Sequence, residues 1–319
     1  MINRRIAIVG AGLAGSVLAE RLAGQGHLVT VFEKSRGSGG RMASARIEAA
    51  VCDLGVPWLE ARGEDFHDWL LTLVFEGVLE PWNPCLRDFD GAPCEQRNLF
   101  VARESSSALT RRLLHGAGLD TGVRVGRIDS IGDGVELFDD SAQALGRFDW
   151  AFVATPAPQA EPLLATVPAL RRAAQRIETR PAWVVAAQCG VSDTAADVYS
   201  GGHGCFEQVV NEGAKPGRQP GLWRVQMTAD WSRRHLDAEP GWVVEQARNG
   251  LETLLGTPLD VGESRAHRWL YSRNTHADLG CGLDPAARVG ACGDWLQGGD
   301  AEGAWHSAMA LADAVENVS

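Results

Sequence analysis

Blocks of apolar residues separated by glycine-rich turns mark out most of this chain, and the first block is the most regular. Residues 5–9 (RIAIV) form a short β-branched run, as a parallel strand buried on both faces requires. Gly10-Ala11-Gly12-Leu13-Ala14-Gly15 follows directly, then residues 16–24, in which Val17, Leu18 and Leu22 share one helical face. Residues 27–33 (HLVTVFE) read as a second strand. Further strands are predicted over 121–131, 148–156, 182–188, 222–227 and 288–292, and helices over 161–176, 241–255 and from 302 through 315. Residues 58–84 carry Trp58, Phe66, Trp69, Leu70, Leu73, Phe75 and Trp82 at partly helical spacing, and 214–221 (AKPGRQPG) predicts a surface loop.

Composition changes this picture in a few places. The 319 residues exceed the size at which one hydrophobic core stops growing, so two joined domains are expected. Hydrophobic residues at 45% and charged residues at 22% exclude a disordered chain. The 37 glycines are well above the usual share of about 7%, which points to tight turns or close approach of backbone to a ligand. A formal charge of −11 is the wrong sign for nucleic acid. The seven cysteines are scattered and never form C-x-x-C, which suits a reducing compartment and argues against a zinc site or disulfide framework. Asn3-Arg4-Arg5 precedes an apolar stretch, but Gly10, Gly12 and Gly15 interrupt it and Glu20-Arg21 follow. It therefore reads as strand and helix rather than a secretory signal, and a cytoplasmic location is expected. No membrane-spanning run is present.

The first candidate chemistry lies in the turn itself. Strand, glycine turn, helix and strand make a βαβ unit with G-x-G-x-x-G where dinucleotide binding needs it. Gly10 permits the sharp turn, Gly12 admits a pyrophosphate to the backbone, and Gly15 lets helix and strand pack closely. The amides at the helix start, around Leu13 and Ala14, would face the phosphates. Glu33, at the end of the second strand, would accept from ribose hydroxyls and repel a 2′-phosphate, with Lys34 beside it. A plain α/β turn is the bland alternative.

The residues after Glu33 choose among dinucleotides. Gly39-Gly40-Arg41-Met42 is a second glycine turn with an arginine, which resembles the flavin-binding segment of the amine-oxidase-like FAD superfamily. That resemblance implies FAD, with Arg41 near its phosphates. It also implies a closing C-terminal segment, and 288–292 (RVGAC) followed by Gly293-Asp294, Gly298-Gly299 and Glu302-Gly303-Ala304-Trp305-His306 matches one. The resemblance assigns Asp294 to a ribitol hydroxyl or the pyrophosphate and places the Gly303 and Ala304 amides at the flavin ring. It assigns Val125 to the adenine and puts Ala154-Thr155-Pro156 at the return to the second domain. The implied fold is α/β: a Rossmann-like FAD-binding domain (1–58, 98–156 and 267–319) with an interleaved α+β substrate-binding domain (59–97 and 157–266).

A narrower likeness covers essentially the whole chain. Cys52-Asp53-Leu54-Gly55 with Trp58 and Ala61-Arg62, Thr228-Ala229-Asp230-Trp231-Ser232 with His235-Leu236, and Ala266-His267-Arg268-Trp269-Leu270-Tyr271 resemble bacterial renalase-like flavoproteins. These oxidise 2- and 6-dihydro-NAD(P) to NAD(P)⁺, the hydride passing to flavin N5 and on to O2 to give H2O2. Three segments depart from the family: Gly55-Val56-Pro57-Trp58-Leu59, Arg103-Glu104-Ser105-Ser106 and Asn274-Thr275-His276. They leave the substrate open.

Such chemistry needs positioning more than acid–base groups. Trp305 and His306 are the catalytic candidates, Trp305 nearest the ring by its place beside Gly303 and Ala304. Trp58, Arg62, Trp231 and His267 are the substrate candidates, with Arg103 and Arg233 as further cations for a charged substrate. For the tryptophans, core packing is the competing explanation. The two lysines, Lys34 and Lys215, fall beside the ribose carboxylate and in a loop, which disfavours an amine oxidase whose lysine holds a water at the flavin. A desaturase or other small-molecule oxidase, and a flavin-binding protein without catalysis, stay open. No G-x-S-x-G elbow and no metal-ligand spacing is found.

Overall fold

The computed structural model describes residues 3–191, 194–260 and 262–318. They form two compact units, one of Met1–Gly40, Leu109–Glu178 and Arg273–Ser319, the other of Arg41–Ala108 and Thr179–Ser272.

The first unit is built on a six-stranded sheet in the order Gly282–Asp284, Val289–Ala291, Trp150–Val153, Arg5–Val9, Leu28–Glu33, Gly118–Thr121. All neighbours are parallel except the antiparallel edge pair Gly282–Asp284 and Val289–Ala291. The chain's first strand is central, which is why Ile6, Ala7 and Ile8 are wholly buried and why the run carries no polar alternation. Ala7, Val9, Ala151 and Val153 face a core shared with Ile128, Val135, Leu137 and Phe148 of a three-stranded antiparallel sheet. The helices Leu13–Gly24 and Ala301–Glu316 pack on each other.

The second unit has a six-stranded sheet in the order Ser264–Asn274, Thr179–Gln188, Leu222–Met227, Phe206–Asn211, Val198–His203, Leu86–Asp88. Its central strands Thr179–Gln188 and Leu222–Met227 are buried on both faces, successive side chains pointing to opposite sides. Trp183, Val185, Trp223 and Val225 meet Val243, Ala247 and Leu251 of the helix Pro240–Leu255. Val184, Ala186 and Leu222 meet Ala45, Ile47, Cys52 and Leu54, from and just beyond the hairpin Ala45–Ile47/Ala50–Cys52.

Several sequence expectations need correction. The helix expected over 161–176 is two, Ala157–Leu163 and Pro168–Gln175. Pro168 has no N–H to continue a helix and instead opens the second one. The strand expected over 121–131 is divided at Gly122, whose φ of +72° turns the chain from the parallel sheet into the three-stranded one. By packing, residues 41–58, 98–108 and 267–272 lie in the second unit and 157–178 in the first, which differs from the expected division. The reason is apolar: Leu163, Leu164 and Leu170 belong to the first unit's core, while the hairpin after Gly40 covers the second unit's sheet.

Candidate functional site

The glycine turn folds as its residue types require. Gly10 has φ +108°, and a Cβ on Gly15 would sit 2.0 Å from the Gly10 carbonyl oxygen. Gly15 therefore admits no side chain, because the clash is with backbone. Gly12 is different. Its φ and ψ are extended, and the nearest atom to an added Cβ is Gly40 Cα at 4.0 Å. Nothing in the protein itself forbids a side chain there. Gly12 is also the N-cap of the first helix, which receives no side-chain capping bond and has no acidic residue in its first turn. The Gly39 amide donates to the Ala11 carbonyl at 2.8 Å, holding the second glycine turn against the first. What results is a helix N-terminus open to an anion and walled by two glycines.

Glu33 is 6% exposed and serves this turn. Its Oε2 accepts from the Ala11 amide at 3.0 Å and its Oε1 from the Ser35 amide at 2.8 Å, leaving further acceptor capacity on both oxygens. Lys34 next to it is exposed; burial of part of its stem lowers its ammonium pKa, Arg124 adds to this and Glu33 opposes it. The Val123 amide donates to the Glu33 carbonyl at 3.0 Å, which brings the buried Val125 into the same part of the unit. Thr155 follows the strand Trp150–Val153; its Cγ2 would lie 3.1 Å from a Cβ on Gly10. Its hydroxyl is buried with no partner among the described residues. Asp294 is 3% exposed. The Gly293 amide donates to Ser307 Oγ of the last helix at 3.0 Å.

An uncapped helix start with room for phosphate, a buried carboxylate with spare acceptor sites and an unanswered hydroxyl are the complement of a dinucleotide. The residues fit FAD.

One expectation fails here. The Gly303 and Ala304 amides are not free to meet a flavin ring: Gly303 N donates to Asp300 Oδ1 at 3.0 Å and Ala304 N to the Asp300 carbonyl at 2.9 Å. The helix begins at Ala301 with Asp300 as its N-cap, so the capping residue claims both donors. An Asp directly before an apolar helical run was the available signal. Trp305 is 8% exposed and meets His306 edge-on at 4.9 Å. His306 Nε2 lies 3.7 Å from Glu302 Oε1 one turn back, so the imidazole already faces a carboxylate of its own helix.

The first unit thus holds Gly10, Gly12, Leu13, Ala14, Gly15, Glu33, Lys34, Gly40, Val125, Thr155, Gly293, Asp294, Gly303, Ala304, Trp305 and His306, while Arg41 and the buried Met42 begin the second. The four substrate candidates do not gather within the second unit. Trp58 packs on Trp82 at 5.9 Å in one apolar cluster. Trp231 stacks on Trp242 (5.7 Å, 4°) in another. His267 lies edge-on to Trp269 at 4.3 Å, whose Nε1 donates to the Leu54 carbonyl; burial lowers the His267 pKa and Arg265 adds to it. Arg62 is exposed. Arg103 is committed to Glu80 at 2.6 Å and Arg233 to Asp230 at 3.2 Å.

Sequence reading also missed a buried ion cluster. Lys215, expected in a surface loop, is 2% exposed. Its Nζ donates to Asp53 Oδ2 at 2.9 Å and lies 2.7 Å from Glu212 Oε1. Arg218 Nη2 also donates to Asp53 Oδ2 at 2.9 Å, while Ser44 Oγ and the Ser106 amide donate to its Oδ1, each at 2.8 Å. Arg224 Nη2 donates to the Gly55 carbonyl at 2.8 Å. Burial alone would raise the Asp53 pKa; Lys215, Arg218 and the Ser106 amide outweigh it and hold the carboxyl at about 2. In Glu212 burial prevails and pushes the carboxyl up. A rare lysine was the only local signal.

Residues 84–316 match the family of flavin containing amine oxidoreductases, and residues 8–71 match the NAD(P)-binding Rossmann-like domain. The chain belongs to the flavin-containing amine oxidoreductase family, which implies FAD as its cofactor. Among curated proteins it is similar to 4,4′-diapophytoene desaturase (4,4′-diaponeurosporene-forming) of Staphylococcus haemolyticus (strain JCSC1435), 39% identical over 85 residues, 22% of this chain and 17% of that protein. The counterpart of Staphylococcus aureus (strain Newman) is 45% identical over 51 residues, 16% of this chain and 10% of that protein. The matches thus span less than a fifth of those relatives' length. Among solved structures, cyclohexylamine oxidase from Brevibacterium oxydans IH-35A aligns with TM-score 0.77 at 15% identity over 99% of this chain and 100% of the other. The CLA-producing fatty acid isomerase from P. acnes aligns with TM-score 0.74 at 12% identity over 98% of each. At such identities the likeness is one of fold. No helix among the described residues is long and apolar enough to cross a membrane.

Proposed function

We propose that the protein is a renalase-like oxidase of the cytoplasm that takes a hydride from a dihydropyridine substrate, the 2- or 6-dihydro isomers of NAD(P), and yields NAD(P)⁺ and, with O2, H2O2. Bound FAD supplies the two-electron acceptor. In this reading the first helix binds the pyrophosphate through its uncapped amides, with Gly12 and Gly40 as walls. Glu33 orients the adenosine ribose and, being charged and buried, keeps out a 2′-phosphate. Thr155 and Asp294 supply polar contacts further along, Arg41 neutralises phosphate, Val125 meets adenine, and Trp305 borders the ring. His306, the other catalytic candidate, lies beside Trp305 with its Nε2 3.7 Å from Glu302 Oε1.

The observation that favours this reading over amine oxidation is the state of the two lysines. Lys215 is locked between Asp53 and Glu212 without solvent access, and Lys34 stands exposed next to Glu33, the residue this reading gives to the adenosine ribose, so in this reading neither lysine holds a water at the flavin ring. The likeness to diapophytoene desaturases supports a second reading, desaturation of a small apolar substrate. Anaerobic stopped-flow of the purified flavoprotein separates the readings. Borohydride-generated dihydro-NAD isomers are expected to bleach the main flavin band within seconds, while ordinary NADH and a panel of amines leave it unchanged. Bleaching by amines alone would overturn the proposal in favour of amine oxidation. No bleaching by any of these would dismiss it and direct the search to desaturase substrates.

A further inference from the structure

Cys281 and Cys292 flank the neighbouring antiparallel strands Gly282–Asp284 and Val289–Ala291, each one residue beyond the last paired position. The register of the edge pair runs Asp284↔Val289, Leu283↔Gly290, Gly282↔Ala291, and the next step sets Cys281 against Cys292. The Cys292 amide donates away from Cys281, to the Val153 carbonyl at 3.1 Å. Position 281/292 is therefore a non-hydrogen-bonded site, where facing Cα atoms come within about 4.5 Å and side chains are closest. That lies inside the Cα separations of roughly 4.4–6.8 Å that disulfides accept.

The two side chains also share a face. A Cβ on Gly290 would meet Leu311 of the last helix at 3.1 Å, and Cys292, two residues on, points the same way. A Cβ on Gly282 would meet Leu170 on the opposite side, so Cys281, its neighbour, points back toward the last helix. Cys292 is wholly buried and Cys281 partly exposed. Burial raises the Cys292 thiol pKa, and the charge of Cys281 raises it further, which places the two sulfurs within electrostatic reach.

We propose that Cys281 and Cys292 are an oxidisable dithiol that a peroxide closes to a disulfide. Cys281 enters first because it alone has solvent access. Its thiolate attacks one oxygen of H2O2, forming Cys281–SOH and releasing hydroxide, which takes up the thiol proton as water. The Cys292 sulfur then attacks the Cys281 sulfur, and the second oxygen leaves as water with the Cys292 proton. Two thiols are oxidised by two electrons, and one peroxide is reduced to two waters. The bond would tie the edge strand to the strand that leads into Gly293-Asp294.

The test is peptide mapping of the FAD-loaded protein under non-reducing conditions after titration with H2O2. The expected product is one linked peptide joining Cys281 and Cys292, lighter by two hydrogens and separated again by dithiothreitol. Cys281→Ser is expected to abolish it, and Cys85→Ser, at the exposed cysteine, to leave it intact. Oxidation of Cys281 to sulfinic acid with Cys292 still a thiol would overturn the proposal. So would a linkage of Cys281 to any other cysteine, or no change at Cys281 once Cys85 is fully oxidised.

Discussion

At the head of the first helix, amides meet no capping side chain, Gly12 has room it does not use, and Thr155 keeps a buried hydroxyl without a partner. In the second unit, Asp53, Glu212, Lys215 and Arg218 answer one another within the chain, and the amide of Ser106 and hydroxyl of Ser44 complete Asp53. Both regions concentrate polar groups away from water. The first leaves its capacity unspent, as a ligand site must, whereas in the second opposite charges pair with one another, as desolvated charge requires, with Arg218 Nε the one atom of these four side chains left without an acceptor among the described residues. The distinction separates binding from scaffolding more reliably than residue type does: the lysine and arginines belong to the scaffold, and the site is mostly glycine.

Substitutions that unfold one region and empty the other would sharpen this contrast. The largest cost to the fold is expected from Lys215→Met. It strips Glu212 of its cation and leaves Asp53 with Arg218 alone, which should cost about 3–5 kcal/mol in urea unfolding; a loss well under 1 kcal/mol would break the comparison. Acid should act on the same cluster. The Asp53 carboxyl titrates at about 2, below the ordinary 3.8, so its contribution is full above roughly pH 4 and is lost as pH falls toward 2. Glu212, raised by burial, works in the opposite sense, since protonation relieves it. Asp53→Asn should therefore be less stable than the parent at neutral pH and lose less on acidification; parallel pH curves would contradict the assignment.

Smaller effects on stability are expected at the glycine turn, with larger ones on flavin. Glu33→Ala removes acceptors from the Ala11 and Ser35 amides, a cost of about 1.5–3 kcal/mol, and should reduce FAD content without changing substrate preference. Full flavin occupancy in the purified variant would argue against the ribose role. Gly12→Val should cost the fold least, because its backbone is extended and its Cβ unobstructed, yet yield largely apoprotein. Circular dichroism and the flavin-to-protein absorbance ratio read the two effects separately. A folded, yellow Gly12→Val would show that phosphate does not approach here.

Asp300 refines the comparison within the first unit. Its cap on Gly303 gives the last helix a side-chain acceptor that the first lacks, so the helix dipole alone does not designate a ligand site. What distinguishes them is whether a side chain has taken the amides.

The βαβ turn, the carboxylate of Glu33 beside it and the mixed α/β class were legible because they rest on short-range facts: β-branched runs, a glycine that must have positive φ, and another whose Cβ would strike backbone five residues away. Local chemistry of that kind is written in adjacent residues. Tertiary structure alone decided that Lys215 is buried against Asp53, that Trp58, Trp231 and His267 enter three separate clusters, and that the helices over 157–175 cover the first unit's core. Each depends on which distant surface a segment meets. A charge is tolerated inside only if a partner arrives from elsewhere in the fold, and no local pattern records that partner.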